Sequence, residues 1–439
     1  MGDRSRIVPH ELRKNLPETA QIPPKKTLIH SGHLSPNPPI RVFADCLAMP
    51  RHSRCPRPSM LLSLLLSAVV SAGSVPVAAD EPPELSEWTI RTEAGTLLVT
   101  GRQTAVGRDG TLLVEDRAGR LRMLSPADIQ NHQPLSQPWQ PLNSSDLAQL
   151  LLADLGEEFT VTQTEHYLIL ANSNEDYAEF CGKLLEKVHT EFTELMRELE
   201  VPLRLPEQPL PVLIFASTAE FQAHAERMHP EVSFDETPGF YSVRDNLVLL
   251  QDLTRDRGLK TSAAIRRKLA DQPLQLATIV HEAVHQLAFN SGVQVRLADN
   301  PVWFSEGLAL CFEQTSTRTA LLWTRPNLVN ARHHPEFVRI AGDSDAFIPL
   351  QELIQQDLFF QQSQTAPAAY AESWALTTWL LRERPKQLAA WIARLSQLKP
   401  LQAVAPADRA AMFLDTIGNS PAELTSEIIA AVKKLRPPR

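Results

Sequence analysis

Between residues 88 and 130 the chain alternates apolar and polar positions around glycine turns: Trp88-Thr89-Ile90, Gly95-Thr96-Leu97-Leu98-Val99, Gly110-Thr111-Leu112-Leu113-Val114 and Gly119-Arg120-Leu121. A period of two, broken by glycine, predicts short strands joined by hairpins. We read residues 80–133 as a small all-β domain, a barrel or sandwich, and the proline-rich stretch 134–144 as a linker. From residue 144 the pattern changes. Ser145-Asp146 reads as the cap of an apolar helix, followed by strands at Phe159-Thr160-Val161 and Tyr167-Leu168-Ile169-Leu170. A long helix over 174–199, a strand at 211–215, a helix over 217–228 and a strand at 246–250 come next, and helical periodicity dominates beyond about residue 265. Strands first and helices afterwards predict an α+β fold for a second domain over 145–434, with 435–439 as a disordered tail.

The N-terminal end reads differently. Residues 1–48 lack hydrophobic periodicity and carry proline runs, which predicts a disordered or non-native extension. Met49 is followed by Arg51, Arg54 and Arg57, then by the apolar run Met60 to Ala72, then by Val77-Ala78-Ala79 before Asp80-Glu81. A positive start, an apolar segment too short to span a bilayer and a small-residue cleavage site make 49–79 a signal peptide, with translation expected to begin at Met49. The expected location is secreted, or periplasmic and cell-envelope. No stable membrane insertion is expected after the signal is cut.

Composition narrows the function classes. The 439 residues are 43% hydrophobic and 21% charged, an ordinary globular balance. Cleavage after Ala79 removes ten basic and four acidic residues, leaving 33 against 47 and a net charge of −14. Such a surface disfavours nucleic acid and anionic lipid as partners. Only Cys181 and Cys311 survive processing, and two cysteines read as small buried residues more readily than as a disulfide framework.

The chemistry sits in Leu276-Ala277-Thr278-Ile279-Val280-His281-Glu282-Ala283-Val284-His285-Gln286-Leu287-Ala288-Phe289. HExxH on a helix puts His281 and His285 one turn apart on one face, where both reach one cation, while Glu282 projects about 100° away and can meet a water held by the metal. The apolar neighbours bury this helix, so its two imidazoles and carboxylate need partners. Pro301-Val302-Trp303-Phe304-Ser305-Glu306-Gly307-Leu308-Ala309 is a second apolar helical segment, whose acidic residue Glu306 lies after a twenty-residue interval from His285. Two facing helices then deliver His281, His285 and Glu306 and leave a fourth position open, as a catalytic zinc site requires.

HExxH followed by W-x-x-E-G-x-A resembles the gluzincin metallopeptidases, the clan of thermolysin and aminopeptidase N. The likeness covers about residues 150–430, and it is closest to a set of uncharacterised secreted bacterial HExxH proteins. It implies a thermolysin-like metallopeptidase domain behind a small SH3-like β-barrel. It also implies Zn2+ bound by His281, His285 and Glu306, with Glu282 as general base. Gln286, Asn290 and Glu313 match further positions of the clan pattern and fall behind the ligands or serve packing. Metzincins fit worse, because Ala288 and Ser291 stand where they need Gly and a third His. G-x-M-E-N is absent, so no exopeptidase specificity is implied.

The expected activity is hydrolysis of peptide bonds in a peptide or protein substrate by a water that zinc acidifies and Glu282 deprotonates. The oxyanion stabiliser is expected at Tyr370, with His333 and His334 as alternatives that read as an exposed loop. Residues 246–250 are the candidate edge strand for an extended substrate. Two alternatives differ in class: a catalytically silent binding module on a peptidase fold, and a zinc hydrolase of a non-peptide amide.

Overall fold

A computed structural model describes residues 84–437, apart from positions 94, 231, 235, 236, 255–257, 260 and 344. The expected N-terminal extension and signal peptide lie outside the described residues. The first element is a five-stranded antiparallel sheet: β1 (Glu84–Thr92), β2 (Gly95–Val106), β3 (Leu112–Glu115), β4 (Leu121–Leu124) and β5 (Ile129–Pro138), in the order β4-β3-β2-β1-β5. Trp88, Val99, Val114 and Leu124 form its own small core. Leu113 and Leu121 instead join the main core of the chain. β4 and β5 do not pair among the described residues, so the sheet is open and the expected closed barrel is not formed. β5 also runs through Pro134 to Pro138, part of the expected linker. It is an edge strand, where a residue without an N–H costs no ladder hydrogen bond.

Helix α1 (Ser144–Leu155) opens the second part, capped by Asn143, whose side chain accepts from the Asp146 N–H. The expected cap lies one residue inside the helix. A mixed sheet follows: β6 (Thr160–Gln163), β7 (Tyr167–Ala171), β8 (Leu210–Phe215), β9 (Gly239–Ser242) and β10 (Leu247–Gln251), in the order β6-β7-β8-β10-β9. β7, β8 and β10 are parallel, joined through α2 (Glu175–Glu198) and α3 (Thr218–Met228), and the two edge strands run antiparallel. Alternation sorts the side chains between two layers. Tyr167, Ile169, Val212, Ile214, Val248 and Leu250 face the main core with α2, while Leu168, Leu170, Leu213, Phe215, Leu247 and Leu249 face α1 and α3. A sheet covered on both faces explains why these strands read as unbroken apolar runs.

Ten further helical segments complete the chain among the described residues. They are α4 (Ser262–Ala270), α5 (Pro273–Asn290), α6 (Val302–Leu310), α7 (His333–Ile340), α8 (Leu350–Gln355), a 3-10 turn (Leu358–Phe360), α9 (Ala366–Glu383), α10 (Pro385–Leu395), α11 (Pro406–Ile417) and α12 (Pro421–Val432). The α+β architecture, with strands before helices, is as expected. No described helix is long and apolar enough to cross a membrane. Cys181 and Cys311 are free and buried. Leu435, in the expected tail, packs against the core.

Candidate metal centre

Helix α5 is buried from Leu276 to Phe289, because β9 and β10, α2 and α6 surround it. Proline at its first position lacks the N–H that a helix start leaves unpaired anyway. Helix α6 is shorter and buried along its whole length. Its Gly307 is forced by a close crossing with α9: a Cβ there would sit 2.6 Å from the Ser373 carbonyl oxygen. Trp303, one turn before Glu306, stacks on Trp391 at 5.9 Å and so fixes the roll of α6. These two helices bring the expected ligands together. His281 Nε2 lies 2.9 Å from His285 Nε2 and 3.3 Å from Glu306 Oε2, and His285 Nε2 lies 3.5 Å from Glu306 Oε1.

Glu313, just past α6, contacts His281 from the other side. Its Oε1 is 2.9 Å from His281 Nδ1, and its Oε2 accepts from Asn330 Nδ2 at 3.2 Å, with His333 Nε2 at 3.7 Å. A carboxylate on Nδ1 assigns the proton to that nitrogen and turns the Nε2 lone pair toward His285 and Glu306. Glu282 points elsewhere, as the spacing predicts: its Oε2 accepts the Tyr241 N–H at 2.9 Å, and Oε1 has no hydrogen-bond partner.

The residues suit a divalent cation on three grounds. One ligand atom from each of His281, His285 and Glu306 can be chosen so that all lie within 4.8 Å of one another. Tetrahedral zinc, with bonds of about 2.0–2.2 Å, spaces its ligands by roughly 3.3–3.6 Å, which the two histidine–Glu306 separations of 3.3 and 3.5 Å match, while the two imidazoles are closer at 2.9 Å. Glu306 is fully buried, yet neither of its oxygens has a hydrogen bond. Buried carboxylates without partners are costly, and a cation removes the cost.

The electrostatics of the bare side chains show the same strain. Burial works against charging His281, but Glu306 and Glu313 outweigh it and hold its pKa well above the usual histidine range. Burial, then the charge of His281, pushes His285 well below that range. Burial raises Glu306, with the nearby His281 ring opposing, and raises Glu282 to about 7, where the charge of His281 opposes and that of Glu306 adds. Glu313 is lowered: burial opposes, but the hydrogen bond and charge of His281 prevail.

Other expected residues fall into place unevenly. Tyr370, in the first turns of α9, is buried, packs edge-on to Phe360 at 5.3 Å and feels the charges of Glu306, Glu282 and Glu313. Burial, then those carboxylates, raises its pKa well above 10, so the phenol keeps its proton. His333 and His334 are not an exposed loop. Both are buried at the start of α7, because Asn330 Oδ1 accepts the N–H groups of Arg332 and His333 and turns the chain inward. Gln286 reaches the Pro211 and Asn246 carbonyls and Asn290 bonds Asn246, so they tie α5 to the sheet. Of the three positions expected behind the ligands, Glu313 alone touches one. Residues 246–250 do not form an edge: β10 lies between β8 and β9, and β9 is the edge strand beside Glu282. Asn330 and the Tyr241 backbone are absent from the sequence reading, since neither carries a spacing signal.

A protein-family model described as "Protein of unknown function (DUF1570)" matches residues 275–402. That segment opens inside α5 and ends beyond α10, so it holds both ligand helices, Glu313 and Tyr370 together. No curated protein matches the chain.

Proposed function

We propose that this protein is an exported zinc-dependent peptidase with a thermolysin-like arrangement of sheet and ligand helices. One observation carries the reading: two imidazoles and a carboxylate from separate helices converge within 4.8 Å in a buried site, with a second carboxylate beside them that ligates nothing. A purely structural metal site has no use for that second carboxylate. When bound by His281, His285 and Glu306, zinc supplies a Lewis acid that polarises a carbonyl and lowers the pKa of water to about 7. Glu282 takes the proton of the attacking water on Oε1 while the Tyr241 N–H holds Oε2, and then hands it to the leaving amine. Tyr370 donates its O–H to the developing oxyanion. Glu313, braced by Asn330, keeps His281 in the ligating tautomer. The outer edge of β9 is where an extended substrate would add as a strand.

The enclosure of the site favours one second reading. His281, Glu282, His285 and Glu306 are each 0–1% exposed, which suits a small non-peptide amide better than a polypeptide. One experiment separates the two. Zinc content and chelator-sensitive turnover are measured on unfolded proteins and on small amides, for the chain from residue 80 and for Glu282→Gln and Glu306→Ala. Peptidase action requires protein cleavage with about one tightly held zinc, retained in Glu282→Gln with turnover about 10²–10⁴ lower, and lost in Glu306→Ala. Turnover of amides alone supports the second reading. Stoichiometric zinc without turnover of either substrate overturns both.

A further inference from the structure

A second group of the same composition lies on the partly exposed face of α2. Glu186 and His189 are three residues apart on that helix, so they share a face, and the turn between β6 and β7 brings His166 against them. One ligand atom from each of His166, Glu186 and His189 can be chosen so that all lie within 4.8 Å of one another, the same convergence found at the buried centre. The carboxylate is held in place before any ion arrives. Glu186 Oε1 accepts from Thr164 Oγ1 at 2.6 Å and the His166 N–H at 2.7 Å, and Oε2 lies 2.7 Å from His166 Nδ1.

We propose that His166, Glu186 and His189 form a second cation site, which takes a borderline divalent ion of the zinc class and clips the β6–β7 turn to α2. Two imidazoles and a carboxylate select zinc, nickel or copper over calcium or magnesium, which prefer all-oxygen sites. A Glu-x-x-His pair on one helix can direct both side chains at a single ion. The His166 and His189 rings stack at 3.7 Å with planes 18° apart, so one ion cannot lie in both ring planes until a ring turns. His189 is free to do so: it makes no hydrogen bond within the described residues, and its neighbour Glu165 is exposed and carries a further carboxylate. Burial and then His166 depress the His189 pKa. The partly exposed ligands place the ion in contact with solvent, so it is held less tightly than one at the buried centre.

The test is a calorimetric titration of the chain from residue 80 with zinc chloride, beside His189→Gln, His166→Gln/His189→Gln and His281→Ala. The wild type takes up two zinc ions, one tight and one weaker. His189→Gln and the double variant lose the weaker ion and keep the tight one, while His281→Ala does the reverse. Because His189 lies on a half-exposed helix face, its variant folds, and circular dichroism checks this. In His281→Ala, added zinc raises the melting temperature, and that rise disappears when His166 and His189 are also replaced. A wild type that binds one zinc or none at micromolar concentration, or a His166→Gln/His189→Gln variant with unchanged stoichiometry, overturns the proposal. Loss of the tight ion alone bears on the buried centre and leaves this site standing.

Discussion

The two groups of two histidines and one glutamate differ in how deeply the fold encloses them. His281, His285 and Glu306 come from two facing helices, with twenty residues of chain between His285 and Glu306, and all three are closed off from solvent. His166, Glu186 and His189 come from one helix face and one turn, with His166 and Glu186 side chains 36% and 24% exposed. In the interior, burial acts together with weakly screened charges: Glu306 and Glu313 drive His281 up against burial, while burial and then His281 drive His285 down. At the surface, water shares the load, and Glu186 is lowered chiefly by hydrogen bonds that outweigh its partial burial. Ligand type alone therefore does not make a reaction site. The buried group has Glu282, Glu313 and Tyr370 around its ligands, and the proposed function uses them as base, brace and phenol.

Several substitutions test that contrast. Among these substitutions, the largest effect is expected at Tyr370, the oxyanion donor of the proposed function. Tyr370→Phe lowers kcat about 10²–10³ with zinc content unchanged. Unaltered kcat would remove Tyr370 from the chemistry.

Glu372 isolates burial from neighbouring charge. Burial alone raises its pKa to about 8, with the Ile348 N–H as the sole opposing influence. Both folded and unfolded states are protonated below about pH 4.5. Between there and pH 8 the unfolded chain ionises first, so stability falls with rising pH and levels off above 8. From pH 5 to pH 8 the wild type is expected to lose about 3 kcal/mol more stability than Glu372→Gln, read from urea-unfolding midpoints. Equal losses in both proteins would show that Glu372 is not desolvated as described.

Glu313→Gln sharpens the role of the brace. Loss of the carboxylate on His281 Nδ1 weakens zinc binding about 10–100-fold, measured by competition with a chelator. The smallest effect belongs to the surface group in metal-free buffer, where Glu186→Gln costs about 0.2–1 kcal/mol, as a partly exposed ion pair does. A loss of several kcal/mol there would make the contrast between the two groups too sharp as drawn.

What could be read from the sequence was local. The i, i+4 spacing of His281 and His285 survives folding because a helix fixes it, and Glu306 follows from an apolar segment that has to pack against the first. The α+β order was legible because the periodicity changes from two to 3.6 along the chain. Partner choice was not. β9 is four residues, Gly239-Phe240-Tyr241-Ser242, and looks like a lead-in to the more apolar β10; its place at the edge is set by tertiary pairing that no window of sequence contains. Arg332-His333-His334-Pro335 reads as solvent-facing, yet the Asn330 side chain and the Glu313 carboxylate draw His333 inside. Pro134 to Pro138 reads as linker because proline weakens central strands, a penalty that does not apply at an edge.

The most direct test is an anomalous difference map collected at the zinc edge from crystals of the protein purified without chelators. The account predicts a peak about 2.0–2.2 Å from His281 Nε2, His285 Nε2 and a Glu306 oxygen, with Glu282 outside the coordination sphere. No peak between those three side chains in zinc-replete crystals would contradict it.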